Sequence, residues 1–356
     1  MKRAISLSKR SLGVSTPNPS VGAVIVKDGV VVGEGWTGPP GGPHAEINAL
    51  NQAGDSASGA DMYVTLEPCC HFGRTGPCTD AIMESGIKMI HVSALDPNPN
   101  VDGRGVKGLR DAGLNVSVGL NEKESIGVME PHFNLMRTGR PLVTAKFAMS
   151  LDGKIASVSG ESKWITGVKA RESVHQLRAH SDAVMVGINT VLMDNPKLTA
   201  RDGSLPEDFS QPLRVVVDSH GRTPATSAVC NDDAKTLIAT SKDATPFQFP
   251  CSVSVRAFPE DSIRVELDAL LKYLGNISIS SVLVEGGPSL IGSLFDQRLV
   301  DKVFAFVAPI IIGGPAKSAV GGKGSYHMRD VERLVDVELK SIDEDILLTG
   351  YCRKEE

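Results

Sequence analysis

The sequence predicts a two-domain α/β protein, and three observations support this fold class. The chain has 356 residues, whereas one domain usually takes roughly 100–200 residues. In both halves, short apolar runs typical of strands alternate with helical segments, and this order places helices on the faces of a sheet. A stretch of weak helical pattern separates the halves between Gly119 and Pro141. We therefore expect one domain at 1–120, a linker at 121–141 and a second domain at 142–356.

In the first half, the predicted elements follow the order β-β-α-β-α-β-α-β. Lys27-Asp28-Gly29 is a tight-turn signal that joins the first two strands into a hairpin. Gly54 and Gly86 each follow a helical segment, as helix-ending glycines do. We expect strands at 21–26, 30–32, 62–66, 88–94 and 115–118, and helices at 45–53, 79–85 and 106–112.

The second half alternates in the same way. Its clearest amphipathic helix is 263–274, where one isoleucine and four leucines keep helical spacing. A strand at 282–284 runs into Glu285-Gly286-Gly287, and a helix is expected to begin at Pro288, since proline favours the first helical position. We expect a further helix at 169–179 and further strands at 142–147, 183–186, 213–217, 237–240, 303–307 and 346–351.

Composition and charge exclude several classes of protein. Hydrophobic residues make up 41% of the chain and charged residues 22%, as in folded proteins and unlike disordered chains. The formal net charge is −5, so nucleic acid, which favours basic surfaces, is not an expected partner. No apolar run approaches the roughly 20 residues that span a bilayer, and no apolar segment follows the basic N-terminus. We expect no membrane partner and a cytoplasmic location.

Residues able to do chemistry cluster at His44-Ala45-Glu46, Pro68-Cys69 and Cys78. One imidazole and two thiolates match the three protein ligands of a catalytic zinc site, whose fourth position stays open. Both ligand segments are expected where a loop enters a helix, and the positive helix end favours a thiolate. Glu46 lies two residues past His44, so it reaches the water rather than the metal and can carry a proton. We predict His44, Cys69 and Cys78 as zinc ligands and Glu46 as the catalytic residue.

This pattern resembles the signature of the cytidine and deoxycytidylate deaminase superfamily, His-x-Glu followed by Pro-Cys-x-x-Cys. The second part departs from that signature, because eight residues separate Cys69 from Cys78. The longer spacing within 66–78, together with the segment 16–22, resembles the deaminase half of the bifunctional riboflavin biosynthesis deaminase–reductases. That resemblance implies a cytidine-deaminase-like, three-layer α/β/α domain.

Three neighbouring polar residues have more than one interpretation. The resemblance implies that Asn18 and His71 contact substrate, although polar residues also stabilise loops. Cys70 stands where the family commonly has serine, and we interpret it as a small loop residue. A closed structural zinc site, with Cys70 or His71 as fourth ligand, is the alternative to catalysis. The intact His-x-Glu and the match in several segments favour catalysis.

Four segments of the second half resemble the reductase half of the same family: 146–154, 159–166, 189–196 and 284–290. The Gly286-Gly287 pair alone would indicate only an ordinary strand–helix turn, and the G-x-G-x-x-G fingerprint is absent there. The resemblance implies a dihydrofolate-reductase-like α/β domain that uses NADPH.

Carried over residue by residue, the resemblance implies two further sets of contacts. The cofactor would contact Met149, Trp164, Thr190, Asp194, Ser219, Glu285, Gly286, Gly287, Pro288, Ser289, Leu290 and Ile291. The phosphorylated substrate would contact Ser162, Arg178, Leu198, Arg201 and Glu285. An arginine presents a fork that suits a phosphate ester, and paired glycines permit close approach to a pyrophosphate. Lys146 and Asp152 position substrate or serve the fold, and no residue stands out as the general acid of the reduction.

The resemblance therefore implies an enzyme with two successive activities. The first is zinc-dependent hydrolytic deamination of 2,5-diamino-6-ribosylamino-4(3H)-pyrimidinone 5′-phosphate. The second is NADPH-dependent reduction of the ribosyl side chain to ribityl, giving 5-amino-6-ribitylamino-uracil 5′-phosphate. The family also suggests a homo-oligomer, a dimer or larger. The alternatives are a nucleic-acid or nucleoside deaminase with an unrelated second domain, and a zinc-stabilised binding module without activity.

Overall fold

The computed structural model describes residues 1–353 except 73–75, 202–204, 207–208, 242–248 and 259–262. The chain divides between Arg140 and Pro141 into two compact units. Each unit has its own sheet and its own hydrophobic core. None of the helices in this described part combines the length and the apolar surface that crossing a membrane requires.

The first unit is a sheet flanked by short helices. Its strands are β1 (Gly22–Lys27), β2 (Val30–Trp36), β3 (Asp61–Leu66), β4 (Met89–Ala94) and β5 (Asn115–Val118). Its helices are α1 (Lys2–Ser8), α2 (Ala45–Ala53), α3 (Cys78–Glu84), α4 (Arg104–Asp111), α5 (Glu122–Val128) and α6 (Glu130–Thr138). The strand order is β2-β1-β3-β4-β5, with β1 antiparallel to both neighbours and β3, β4 and β5 parallel.

Different helices cover the two faces of this first sheet. Successive side chains of a strand point to opposite faces. Val24 of β1 packs with Ala4 and Leu7 of α1, whereas Ala23 and Ile25 belong to the larger core, to which α2, α3 and α4 contribute. Helices on both faces of one sheet confirm the expected three-layer α/β/α arrangement.

The second unit is a nine-stranded sheet that is mostly parallel. Its strands are β6 (Leu142–Ser150), β7 (Ala183–Gly187), β8 (Leu213–Val217), β9 (Thr236–Thr240), β10 (Val253–Ala257), β11 (Ser281–Val284), β12 (Lys302–Ala308), β13 (Leu334–Ile342) and β14 (Asp345–Cys352). Its helices are α7 (Val168–Ala179), α8 (Ile188–Asp194), α9 (Leu267–Asn276) and α10 (Pro288–Asp296). The strand order is β10-β9-β8-β7-β11-β6-β12-β14-β13, and only the β12–β14–β13 pairings are antiparallel.

Both faces of this second sheet are buried at its centre. In β7, Ala183 and Met185 enter the core shared with α9 and α10. Val184 and Val186 of the same strand enter a separate core on the opposite face, together with residues of α8. Burial on both faces explains why these strands read as continuous apolar runs rather than alternating ones.

One predicted helix is wrong at its start. The 263–274 segment becomes helical only at Leu267, and the Ile263 side chain is 73% exposed. The backbone N–H of Val265 donates to Ser219 Oγ (3.0 Å), and that of Glu266 donates to the Phe258 carbonyl (3.0 Å). These hydrogen bonds hold residues 265 and 266 in extended chain before the helix begins.

The stretch 121–141 has more structure than a flexible connection. It contains α5 and α6, and Met129 and Phe133 are part of the main core of the first unit. The ordered stretch ends at Gly139, whose φ of 70° closes α6. Residues 121–138 thus belong to the first unit, because apolar side chains among them are buried in its core.

Candidate functional site

The predicted zinc ligands come together in the first unit. His44 is the residue before α2, and Cys78 is the first residue of α3, as the sequence predicts. His44 Nδ1 lies 3.3 Å from Cys78 Sγ and 3.6 Å from Cys69 Sγ. The three ligand atoms all lie within 4.8 Å of one another. This is a spacing that one metal ion can bridge.

Two glycines let the surrounding elements approach the ligand segments closely. A side chain at Gly35 of β2 would overlap the carbonyl oxygen of Ala45, the residue after His44. A side chain at Gly105 of α4 would overlap the carbonyl oxygen of Pro68, the residue before Cys69. Close backbone packing at these two points therefore sets where the two segments lie.

The electrostatics of this cluster suit metal binding. A hydrogen bond from the Cys78 thiol outweighs burial and lowers the pKa of Cys69 to about 4. The same hydrogen bond raises the pKa of Cys78, because the two sulfurs share one proton. The backbone N–H of Cys78 also donates to Cys69 Sγ at 3.3 Å. One imidazole and two sulfurs, one of them already a thiolate, fit Zn²⁺ with an open fourth position.

Glu46 is the acidic residue next to these ligands. It lies in the first turn of α2 and is only 4% exposed. Burial raises the pKa of Glu46 to about 7, and the negative Cys69 contributes to the rise. A carboxyl group with a pKa close to neutrality can both accept and return a proton.

A cavity of about 290 Å³ opens at the zinc cluster. Asn18 and His71, the two predicted substrate contacts of this half, both line it. The cavity also contains residues that the sequence did not single out, notably Asp96 and His132. Asp96 follows β4 and His132 lies in α6, so neither belongs to a recognisable local motif.

A larger cavity of about 1220 Å³ lies in the second unit. It opens at the carboxyl ends of parallel strands, where ligands of open α/β sheets usually bind. Six of the predicted cofactor contacts line it, namely Thr190, Ser219, Gly287, Pro288, Ser289 and Leu290. A side chain at Gly286 would press on Leu290 of α10 (2.8 Å from Cδ2), so this glycine allows the turn to pack against its own helix.

The remaining predicted cofactor contacts lie outside the lining of that cavity. Met149, Trp164, Asp194, Glu285, Gly286 and Ile291 are not among the residues that form its wall. Trp164 is 69% exposed and stacks with Arg171, whose guanidinium carbon lies 4.4 Å from the ring centroid. Ile291 is 1% exposed in the core, and its backbone N–H donates to the Gly287 carbonyl at 3.2 Å, so this residue is not open to a ligand.

Glu285 is the centre of a buried ionic cluster. Its two carboxylate oxygens accept hydrogen bonds from Arg178, from Nε at 2.6 Å and from Nη2 at 3.0 Å. Lys146 Nζ lies 3.8 Å from Glu285 Oε2. Burial raises the pKa of Glu285, but Arg178 and Lys146 outweigh this and lower it to about 2. Glu285 is therefore a carboxylate at neutral pH.

The Arg178 guanidinium is already fully engaged within this cluster. Its third nitrogen, Nη1, donates to the Thr199 carbonyl at 3.1 Å. Arg201, in contrast, is exposed. The Arg178 fork, predicted to bind a phosphate, is thus occupied by Glu285, and Arg201 is the more accessible of the two predicted arginines.

Three other predicted contacts have distinct surroundings. Leu198 is 2% exposed and packs in a core, so its side chain does not face solvent. Its φ of 55° is unusual for leucine. Ser162 is half-buried in the loop between β6 and α7. Asp152 serves the fold, since its oxygens accept hydrogen bonds from the backbone N–H groups of Ile312 (3.0 Å) and Gly313 (2.7 Å).

Comparisons with known proteins cover nearly the whole chain. Residues 141–348 match the family model of the RibD C-terminal domain. Residues 1–94 match the cytidine and deoxycytidylate deaminase zinc-binding region. The riboflavin biosynthesis protein RibD of Actinobacillus pleuropneumoniae is 45% identical over 98% of this chain and 93% of that protein. The one from Escherichia coli (strain K12) is 39% identical over 98% of this chain and 97% of that protein.

Solved structures agree with these sequence matches. Acinetobacter baumannii RibD, form 1, has a TM-score of 0.91 at 37% identity, covering 99% of this chain and 98% of that chain. A Thermotoga maritima diaminohydroxyphosphoribosylaminopyrimidine deaminase/5-amino-6-(5-phosphoribosylamino)uracil reductase has a TM-score of 0.88 at 38% identity, covering 99% and 97%.

These matches confirm the family, the fold class and the two cofactors predicted from the sequence. The first domain is of the zinc-binding deaminase type, and the second is of the NADPH-dependent reductase type. The chain belongs to the RibD family of bifunctional riboflavin biosynthesis enzymes.

Proposed function

We propose that the protein catalyses two successive steps on one phosphorylated aminopyrimidine, one in each cavity. Hydrolytic deamination takes place at the cavity of the first unit, and reduction of the ribosyl side chain takes place at the cavity of the second. The observation that carries the proposal is the buried Glu46 beside His44, Cys69 and Cys78, lining the same cavity as Asn18 and His71.

In the first step, the chain positions the ring and moves one proton. His44, Cys69 and Cys78 would hold Zn²⁺, which would make water nucleophilic near neutral pH. Glu46 accepts the proton that the attacking water loses at C2 and returns it to the amino group that leaves as ammonia. Its pKa of about 7 suits both transfers. Asn18 and His71 contact the substrate from the cavity wall.

In the second step, the chain orients NADPH and the sugar and supplies a proton. NADPH, when bound, would supply the hydride for reduction at C1′. Thr190, Ser219 and residues 287–289 would hold the cofactor, with Gly287 allowing close approach of the pyrophosphate. Arg201 contacts the phosphate of the substrate, while Arg178 holds Glu285 in place.

We assign to Lys146 the supply of the proton consumed with each hydride, because its Nζ lies 3.8 Å from Glu285 Oε2, and Glu285 directly precedes the turn that leads to Gly287 of the cavity wall. Burial lowers the pKa of Lys146, although the nearby Glu285 acts against this. A buried ammonium group gives up its proton more readily than one in water. Arg178, the neighbouring cation, does not release its proton in proteins.

We also propose a cytoplasmic location and assembly into a homodimer or larger oligomer. A site that needs two free thiols as ligands is best maintained in a reducing compartment. The expectation of an oligomer rests on the family resemblance of the sequence. Light scattering coupled to size-exclusion chromatography tests it, and a monomer mass across the working concentration range would contradict it.

A coupled assay tests the proposed function. The purified protein is supplied with the diaminopyrimidine ribotide, and ammonia and NADPH absorbance are followed separately. We expect ammonia release without NADPH, and NADPH oxidation only when the deaminated intermediate is present or has formed. Ammonia release from cytidine or single-stranded nucleic acid instead of the ribotide would contradict the proposal.

A further inference from the structure

A histidine and an aspartate form a buried pair on the wall of the deaminase cavity. His132 Nε2 lies 2.8 Å from Asp96 Oδ1, and the side chains are 11% and 8% exposed. Both residues line the cavity that contains Glu46 and His44. Because the acceptor is a carboxylate oxygen, His132 is the donor in this hydrogen bond.

Asp96 makes several hydrogen bonds, but those to described residues use only one of its two carboxylate oxygens. Oδ1 also accepts the backbone N–H of Asn98 at 2.9 Å, which closes a tight turn. The backbone N–H of Asp96 donates to Glu67 Oε2 at 3.3 Å. Within the described part of the chain, no donor meets Oδ2 of Asp96. This oxygen is therefore available to a ligand in the cavity.

The neighbours of His132 on α6 anchor the helix between the core and the cavity. Phe133, the next residue of α6, is 4% exposed in the core of the first unit. Met136, one turn further along α6, lines the same cavity as His132. The stretch 121–141, expected from the sequence to be a linker, thus brings two side chains to the deaminase cavity.

We propose that His132 is a positioning residue for the deamination. By holding Oδ1 it directs Oδ2 of Asp96 into the cavity, where Oδ2 accepts a hydrogen bond from an N–H or O–H group of the aminopyrimidine ribotide. This inference rests on the proposed function of the first cavity. A purely structural role, in which the pair only fastens α6 to the loop after β4, predicts a loss of stability without a change in substrate affinity.

Three substitutions of His132 separate the two roles. H132Q keeps a donor at the reach of Nε2, H132N has the same amide on a shorter side chain, and H132L has no donor. We expect H132N and H132L to raise the KM for the ribotide roughly tenfold or more, since hydrogen bonds to charged groups are strong. H132Q should restore the KM to within about threefold of wild type on the same basis.

The kinetic constants distinguish a positioning role from a loss of stability alone. The kcat for ammonia release should change less than the KM, because Glu46 and the zinc ligands are untouched. NADPH oxidation with the deaminated intermediate should be unchanged in all three variants. H91L is the matched control, since His91 is a half-buried histidine of β4 that bonds Ser117 Oγ (2.8 Å) outside the cavity. We expect it to lower stability and leave the KM at its wild-type value.

Two results would overturn the inference. One is a wild-type KM in H132N, or in H132L if that variant folds, together with a lowered melting temperature. The other is an equal rise in KM for H132Q and H132N, since a donor at the place of Nε2 would then have no effect on substrate binding. A wild-type protein that releases no ammonia from the ribotide would contradict the proposed function itself, whatever the His132 variants show.

Discussion

Glu285 is the shared ionic partner of two buried cations, Arg178 and Lys146. Its negative charge offsets the cost of burying both positive charges. Its side chain is 9% exposed and its pKa is lowered to about 2 from an ordinary value of about 4.5. A carboxyl group with a lowered pKa in the folded state stabilises the protein above its ordinary pKa. This stability is lost as the pH falls from about 4.5 towards about 2.

Replacing Glu285 by glutamine should therefore have a pH-dependent effect on stability. At neutral pH, E285Q leaves two buried cations without their partner, and we expect a loss of about 3–5 kcal/mol in the free energy of unfolding. As the pH falls from about 4.5 towards about 2, Glu285 takes up a proton in the unfolded wild type but stays a carboxylate in the folded protein, so the stability advantage of the wild type over E285Q should narrow. Denaturant titrations from pH 7 to pH 3 measure this.

The control for that experiment is E172Q, at an exposed glutamate of α7 in the same unit. Its stability should stay within about 0.5 kcal/mol of wild type across the range, as for most surface substitutions. A constant difference between E285Q and wild type from pH 7 to pH 3 would show that Glu285 is not held as a carboxylate by its partners.

At the residue scale, short motifs predicted the zinc site and tertiary contacts determined the rest. His44, Glu46, Cys69 and Cys78 follow from residue type and spacing, and the structure brings them together. Asp96 and His132 are 36 positions apart and have no local signature. The hydrogen bonds between Arg178 and Glu285, 107 positions apart, likewise could not be predicted from the sequence.

At the scale of elements, α4 determines where the Cys69 segment lies. Gly105 faces the Pro68 carbonyl oxygen so closely that a methyl group there would overlap it. We expect G105A to lower the free energy of unfolding by about 1–3 kcal/mol, as overpacking does, and to weaken zinc retention. Calorimetry and zinc content after dialysis measure the two effects.

Gly108 of the same helix provides the control. A side chain there would meet nothing within 4 Å, so G108A should be neutral or stabilise the helix by up to about 1 kcal/mol. If G105A and G108A had the same stability and the same zinc content, the close approach of α4 to Pro68 would not determine where the Cys69 segment lies.

Periodicity predicted the buried elements better than the exposed ones. The core strands β7 and β8 appear as apolar runs in the sequence, and the structure confirms them. The edge strand β13 was missed, although Val335, Val337 and Leu339 alternate with charged residues along it. Its side chains are mostly exposed, so burial does not impose a strong pattern on it. The error at the start of α9 arose because 265 and 266 bond to other loops rather than to the helix.

At the scale of the whole molecule, each unit has its own core and its own cavity. We expect removal of zinc with a chelator to abolish ammonia release and to leave NADPH oxidation with the deaminated intermediate at its wild-type rate. Zinc stabilises only the unit that binds it, by mass action. Restoration of ammonia release on adding Zn²⁺ back is the control. Loss of NADPH oxidation together with ammonia release would contradict this independence.

The order of the two domains and their α/β class could be predicted from the sequence because each domain alternates strands and helices and carries sequence motifs of its own. The resemblance to a known family covered nearly the whole chain, and the comparisons confirmed it. The role of the stretch 121–141 was harder to predict, because its helical pattern is weak. The structure places it in the first unit, where Met129 and Phe133 are buried in the core.

The most direct test of the account is the separate measurement of ammonia and NADPH with the E46Q variant. Glutamine fills the same space but cannot carry the proton, so we expect zinc content to stay at its wild-type level. Ammonia release from the diaminopyrimidine ribotide should fall by about 10²–10⁴-fold, the usual contribution of a general acid–base group. NADPH oxidation with the deaminated intermediate should remain at the wild-type rate. Ammonia release at the wild-type rate in a zinc-loaded E46Q protein would contradict the account.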